Sequence, residues 1–329
     1  MADNVAFQST TLATPASGEI VAADEIGGAK YQRVKVIIGK DGTNDGDVSA
    51  ANPIPTAAKL VDESGTAYGV KHIGNKPRVS AMPYLYDIAE GNVSDHVPFL
   101  KLGYNADVGV TAEIISAQGG AYVFPAAEQH MHLVSDSVED DILTGGAVAG
   151  TGIHKVTVYY LDDTFAEKTE IVTLNGTTAV ETTATDIYRI NYVNAEEVGT
   201  GKKAAGNISI KNHAETVTYG YIPAGHNRMR QMVYTVPYGK TLYVTQMHNS
   251  TVTAAGKACT ITLEATYDEL HNHILSGFFM PFAEITGESG AQPIDFHCPL
   301  RFPAGVDVKV IGFANASTIA NVALRGWIE

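Results

Sequence analysis

Residues 150–176 read as two alternating strands joined by a polar turn and closed by Asn-Gly. Within residues 155–161, Val156, Val158 and Tyr160 fall on one side and Lys155, Thr157 and Tyr159 on the other. Within residues 170–174, Ile171 and Thr173 oppose Val172 and Leu174. A period of two predicts half-buried strands. Asp162, Asp163 and Thr164 supply the turn between them, and Asn175-Gly176 a second turn, because Gly takes positive φ without steric cost and Asn tolerates it.

The same texture extends from about residue 82 to the end as an array of short strands. An apolar residue followed by Pro and a polar or glycine turn recurs at Phe124-Pro125, Ile222-Pro223, Val236-Pro237 and Phe302-Pro303. Proline fixes φ and cannot donate within a central ladder, so each pair predicts a turn just before a strand. FPAAEQHMHLVSDS, VPYGKTLYVTQMHNS and FPAGVDVKVIGFANAS align loosely, which leaves a duplicated sandwich and one larger jelly roll both open. The pattern predicts an all-β chain of three parts: a docking arm or small β module over residues 1–81, and two antiparallel β-sandwich halves or domains over 82–212 and 213–329. The glycine-rich EEVGTGKKAAGN near residues 196–207 marks either a linker or a long hairpin loop. Only residues 267–276 (YDELHNHILS) show helical spacing, at Leu270, Ile274 and Leu275, and a sheet edge with a loop is the other reading.

Residues 1–81 hold one strong strand at residues 31–38, in which Val34 and Val36 oppose Arg33 and Lys35. Too few large apolar residues surround it to close a core, so the segment is expected to gain order by docking on a neighbouring subunit. Tyr31, Arg33, Val34, Val36 and Ile38 are the candidate docking residues.

Composition narrows the classes. A chain of 329 residues with 45% hydrophobic content can fill two cores, and 32 glycines with only 18% charged residues suit turn-rich β proteins. A net charge of −14 argues against a nucleic-acid partner, which needs a clustered positive field. Met1 is followed by polar residues, so no signal peptide is expected, and no apolar run is long enough to predict a membrane span. Cys259 and Cys298 lack metal-type spacing and read as buried reduced thiols in preference to a disulfide.

FPAAEQHMHLVSDSVEDD (124–141), GTGIHKVTVYYLDDTFAEKTEIVTLNGTT, AAGNISI (204–210), YIPAGHNRMRQMVYTVPYGKTLYVTQM (221–247) and the terminal RGWIE (325–329) occur in that order. With DIAEGNVSDHVPFLKLGYNADVG (87–109) upstream, this run resembles a family of virion structural proteins of tailed bacteriophages, over residues 82–329. VAADEIGGAKYQRVKVIIGKDGTNDGD (21–47) is similar to leader segments on several phage virion proteins. The resemblance implies a capsid decoration or cement protein, with the major capsid protein or other virion proteins as partners. It also implies a homo-oligomer, with a trimer favoured, and a place in the virion after assembly in the host cytoplasm. A tail, neck or head-fibre adaptor or host-binding protein is the first alternative, and a carbohydrate-binding module the second.

No catalytic residue, cofactor or metal is assigned from the sequence, and an enzyme is not expected. His271-Asn272-His273 lacks the dispersed ligands and basic face of a ββα nuclease. His130 and His132, at i and i+2 on a predicted strand, could reach one metal, but two imidazoles leave a zinc site incomplete, and ordinary surface or interface histidines are the plainer reading. Residues 41–47 place oxygen donors at alternating positions, yet Asn52 stands where a calcium loop needs a bidentate Glu. The acidic groups Asp162-Asp163 and Glu139-Asp140-Asp141 read as solvated turns rather than a glycosidase pair. GTGIHK lacks phosphate-loop spacing, and no GxSxG elbow occurs. Tyr219, Tyr221, Tyr234, Tyr238 and Tyr243 are dense enough to suggest glycan or subunit contact beside the default of strand packing.

Overall fold

A computed structural model describes residues 84–143, 148–275 and 277–329, together with the backbone of seven short strands between residues 3 and 78. The chain divides into two compact units, Met1–Ala81 and Met82–Glu329. In the first, Asp3–Ala6, Ile20–Ile26 and Ala29–Gln32 form an antiparallel meander, and two small hairpins follow. Tyr31 lies in the strand Ala29–Gln32; Arg33, Val34, Val36 and Ile38, and the 41–47 loop, lie outside the described residues.

The second unit is all-β, and every strand pairing is antiparallel. It has two cores. The first is enclosed by a sheet ordered Val180–Glu181, Met131–Ser135, Ile208–Asn212, Thr218–Ile222 and a sheet ordered Glu167–Thr173, Ile153–Leu161, Arg189–Val198. Met131, Leu133, Ile208 and Ile210 from one sheet meet Val156, Val158, Val172, Ile190 and Val193 from the other. The hairpin read from the alternation is present, with Lys155 opposite Thr173 and Leu161 opposite Glu167. Val156, Val158 and Tyr160 are buried, while Ile171 remains 56% exposed.

The second core lies between Gly290–Pro303, Thr241–Val252, Thr318–Ile328, Val97–Val108 and Val233–Thr235, Asp307–Ala314, Cys259–Ala265, Met280–Gly287. Leu242, Val244, Val322 and Leu324 pack there against Ile261, Leu263, Val308 and Val310. The cores are not sequential halves of the chain: Val97–Val108, early in sequence, pairs with the final strand, whereas Thr218–Ile222 belongs to the first core.

Proline turns punctuate both sandwiches. In Pro223-Ala224-Gly225, Pro237-Tyr238-Gly239 and Pro303-Ala304-Gly305 the glycine has φ of +79°, +71° and +81°. The amide of the fourth residue donates to the proline carbonyl in each. That is a type II turn, which needs positive φ at its third position. Each proline ends or follows a strand, and the turns at Pro237 and Pro303 deliver the chain directly into Thr241–Val252 and Asp307–Ala314. The terminal RGWIE has an equally local cause. Thr241–Val252 carries a bulge between Val244 and Gln246, and a Cβ at Gly326 would stand 1.8 Å from the Tyr243 carbonyl oxygen. Trp327 stacks on Tyr243 at 4.9 Å, and the Tyr243 hydroxyl donates to Glu329 Oε1 at 2.9 Å.

Within the stretch read as helical, residues 267–274 form a small hairpin, Tyr267–Asp268 against His273–Ile274, with Asn272 at φ +50°. The helical spacing there has no apolar surface to face, since Leu270 is 86% exposed. The one helix among the described residues is Tyr84–Ala89, far too short to cross a membrane. Both cysteines are free, but only Cys259 is buried; Cys298 sits outward on an edge strand, contrary to expectation. Burial raises the Cys259 thiol to about 11.

Lys101 is 2% exposed with its Nζ donating to the Asn191 carbonyl and lying 4.2 Å over the Tyr192 ring. Burial pushes it down to about 7. The folded pKa is below the unfolded one, so between them the native state holds fewer protons and stability rises with pH. Burial raises Cys259, Tyr122, Tyr192 and Tyr234, so the unfolded chain loses their protons first, which offsets the trend from about pH 9 and reverses it above about pH 10. Stability measured by urea unfolding therefore increases from pH 7 to 9. Lys101→Met flattens that slope and stabilises at pH 7 by about 1–2 kcal/mol, the relieved desolvation less the cost of an unpaired Asn191 carbonyl.

Candidate functional site

Residues Arg189–Val198 run along the seam of the two sandwiches. Arg189 donates through Nε and Nη2 to the Asp307 carboxylate at 2.9 and 3.0 Å, and through Nη1 to the Pro125 carbonyl at 2.8 Å. Its guanidinium lies over Tyr188 and Phe124, at 3.9 and 5.1 Å from the ring centres. Thr235 Oγ1 also donates to Asp307, at 2.5 Å. Two residues further on, the Asn191 amide pairs with the Thr235 backbone in both directions at 2.8 Å. Sequence reading singled out neither Arg189 nor Asp307, because they are separated by more than a hundred positions.

The acidic groups split in role. Asp162 accepts from the Thr164 amide and hydroxyl, the Ala166 amide and Lys168 Nζ. Burial opposes its charge, but Lys168 and those donors hold it down at about 2. It is the organiser of the turn expected at 162–164. Asp162, Asp141 and Asp140 were all expected in solvent and are instead buried, and Asp140 is fully so. Ser135 Oγ and the amides of Ile153, Ala205 and Gly206 all donate to it, at 2.6 to 2.9 Å, which compensates its desolvation.

The five tyrosines do not share a face. Tyr219 and Tyr234 are buried in different cores, Tyr243 stacks on Trp327, Tyr221 is half-buried, and Tyr238 stands 75% exposed in its turn. Three other tyrosines, Tyr159, Tyr160 and Tyr192, line a groove of about 580 Å³ with Lys168, Asn194 and Arg228. His271 pairs with Asp268 at 2.6 Å on the exposed hairpin.

The outer face of the first sandwich gathers the histidines. His132 lies directly across from Glu181 on one flank and from Lys211 on the other, so the pleat puts all three on one side of the sheet. His130, two residues before, shares that face, and His213, two residues past Lys211, opens the following turn. His132, Glu181 and His213 bring their ligand atoms within 4.8 Å of one another. Only the His130/His132 part of this cluster was visible in the sequence; the signal for the rest is the strand register.

Truncating the seam ion pair on one side leaves a buried charge without its partner. Asp307→Asn is expected to cost about 3–5 kcal/mol in urea unfolding, and the paired Arg189→Met/Asp307→Leu variant less than that single change.

No protein-family profile matches the chain, and no curated protein sequence does. Among solved structures, three alignments lead to infectious bursal disease virus. The structure of its Gt strain is 10% identical over 75% of this chain and 77% of that chain, with a TM-score of 0.18. That of its Gx strain is 10% identical over 70% and 71%, also at 0.18. The crystal structure of its VP2 subviral particle is 11% identical over 74% and 78%, at 0.16. Scores this low do not describe a shared superposable fold.

Proposed function

We propose that the chain is a structural protein of a tailed-phage virion, a decoration or cement protein that braces the capsid lattice and docks through residues 1–81. The ordered resemblance of residues 82–329 to virion proteins of such phages suggests the setting. The observation that favours a bracing role is the second sandwich's two open edges. Met280–Gly287 and Gly290–Pro303 are terminal strands of its two sheets, and among the described residues neither pairs on its outer side. Phe282, Ile285, Ile294 and Phe296 are only partly covered there. An edge of 14 residues is long for a terminal strand and is a ready template for strand addition by another chain. Copies in a symmetric cluster could exchange such contacts, and multivalent docking would then add retention that no single contact supplies.

The test is the copy number of this chain in purified virions by quantitative mass spectrometry. A ratio to the major capsid protein near one, or a few tenths, is expected. A few copies per particle would move the protein to the tail, neck or a head fibre, and absence would end the virion reading. A second reading, a carbohydrate-binding module, is favoured by the groove at Tyr159 and Tyr192, where aromatic rings adjoin Lys168, Asn194 and Arg228. It requires glycan binding that Tyr159→Ala abolishes in an array assay while the fold is retained.

A further inference from the structure

We propose that His132, His213 and Glu181 form a binding site for one late transition-metal ion, zinc(II) being the ion it suits, on the outer face of the first sandwich. The ligand chemistry comes first. Two imidazoles and a carboxylate favour zinc and its neighbours over magnesium or calcium, which take oxygen donors almost exclusively. The spacing agrees. In a tetrahedral site with bonds of about 2.0–2.2 Å, adjacent donor atoms stand roughly 3.3–3.5 Å apart. Glu181 Oε1 lies 2.9 Å from His213 Nδ1 and 3.6 Å from His132 Nε2, so an ion between them requires shifts of only a few tenths of an ångström at these edges. The third edge closes within the 4.8 Å span of the group.

The outer shell is also built. His132 Nδ1 stands 2.8 Å from Glu215 Oε1. With the proton placed on Nδ1 by that carboxylate, the Nε2 lone pair is left toward Glu181, which is the carboxylate–histidine–metal relay that orients ligands in zinc proteins. Glu215 reaches this position with φ of +58°, a left-handed conformation uncommon for a glutamate. The turn that imposes it is closed by Asn212: its carbonyl accepts from the Glu215 amide, and its side-chain oxygen from the amides of Thr216 and Val217, all at 2.8 Å. One tight turn therefore positions His213 as a ligand and Glu215 as the support of another ligand.

The fourth coordination position is open. His213 and Glu181 side chains are 64% and 45% exposed, so water can fill it. His130 is the alternative donor: its Nδ1 lies 3.9 Å from Glu181 Oε1 and 3.2 Å from the Thr182 carbonyl, and its ring centre is 5.9 Å from that of His213. Glu181 and Glu215 outweigh Lys211, the lysine across from His132, and give the patch a net negative charge that favours a cation. A bound ion would join three segments far apart in sequence: the strand Met131–Ser135, the short edge strand Val180–Glu181 and the 212–217 turn. Binding only to the folded arrangement, it would stabilise the sandwich by mass action.

The experiment is calorimetric titration of the chelator-stripped full chain with zinc chloride, with melting temperature followed in parallel. One zinc per chain at micromolar affinity or tighter is expected, together with a raised melting temperature. His213→Ala and Glu181→Gln, both at exposed positions, should weaken binding about tenfold or more, and Glu215→Gln by about tenfold through loss of the supporting carboxylate. His271→Ala, away from the cluster, should leave it unchanged. Circular dichroism of each variant separates loss of the site from loss of the fold. Absence of zinc binding by the parent chain up to high micromolar concentration overturns the proposal, as does undiminished affinity in a folded His213→Ala variant.

Discussion

The body of this protein depends on one buried ion pair, Arg189 with Asp307. Each sandwich can close its own apolar core, and the apolar contact of Tyr192 with Tyr234 across the seam does not by itself fix their mutual orientation. Arg189 does so by placing a rigid, planar fork from the first sandwich on a carboxylate of the second, where Pro125, Thr235 and two aromatic rings complete its surroundings. The Asn191–Thr235 amide pairing and the Lys101 contact continue the same seam along one strand. Polar groups here carry a desolvation cost that apolar packing would avoid, and what they supply in exchange is direction, since a guanidinium–carboxylate fork has one good geometry and a hydrophobic contact has many.

A second constraint is local and repeated. Three type II turns built on a proline and a glycine two residues later redirect the chain at Pro223, Pro237 and Pro303. Two of these feed the long strands whose registers then set everything on their faces. The bulge at residues 244–246 follows from the same economy of backbone contact: Gly326 admits the carbonyl of Tyr243, and that approach is what seats Trp327 against the Tyr243 ring.

These causes explain what was legible in the sequence. Strand class, the 153–173 hairpin and the turn glycines depend on neighbours within a dozen residues, so alternation and turn chemistry reveal them. Asp162 and Asp140 show the limit. Both lie in acidic runs that read as solvated turns and both are buried, but the donors to Asp162 lie within six residues of it, whereas those that satisfy Asp140 include Ile153, Ala205 and Gly206, up to 66 residues away. The five tyrosines share no face for a related reason. Density along the chain is not density in space when consecutive aromatics enter two different cores.

The histidine cluster lies between these extremes. Strand periodicity correctly puts His130 and His132 on one face, but a third donor depends on which strands flank them. Pairing of Met131–Ser135 with both Val180–Glu181 and Ile208–Asn212 supplies Glu181 from one side and carries the chain to His213 on the other. A slip of one residue in either register would turn Glu181 or Lys211 to the opposite face and dissolve the group. Inward-facing Leu133, Ile208 and Ile210 forbid that slip, because it would expose them to water. The apolar face of the sheet thus holds the polar face in register, and the surface chemistry of this sandwich is a consequence of its core.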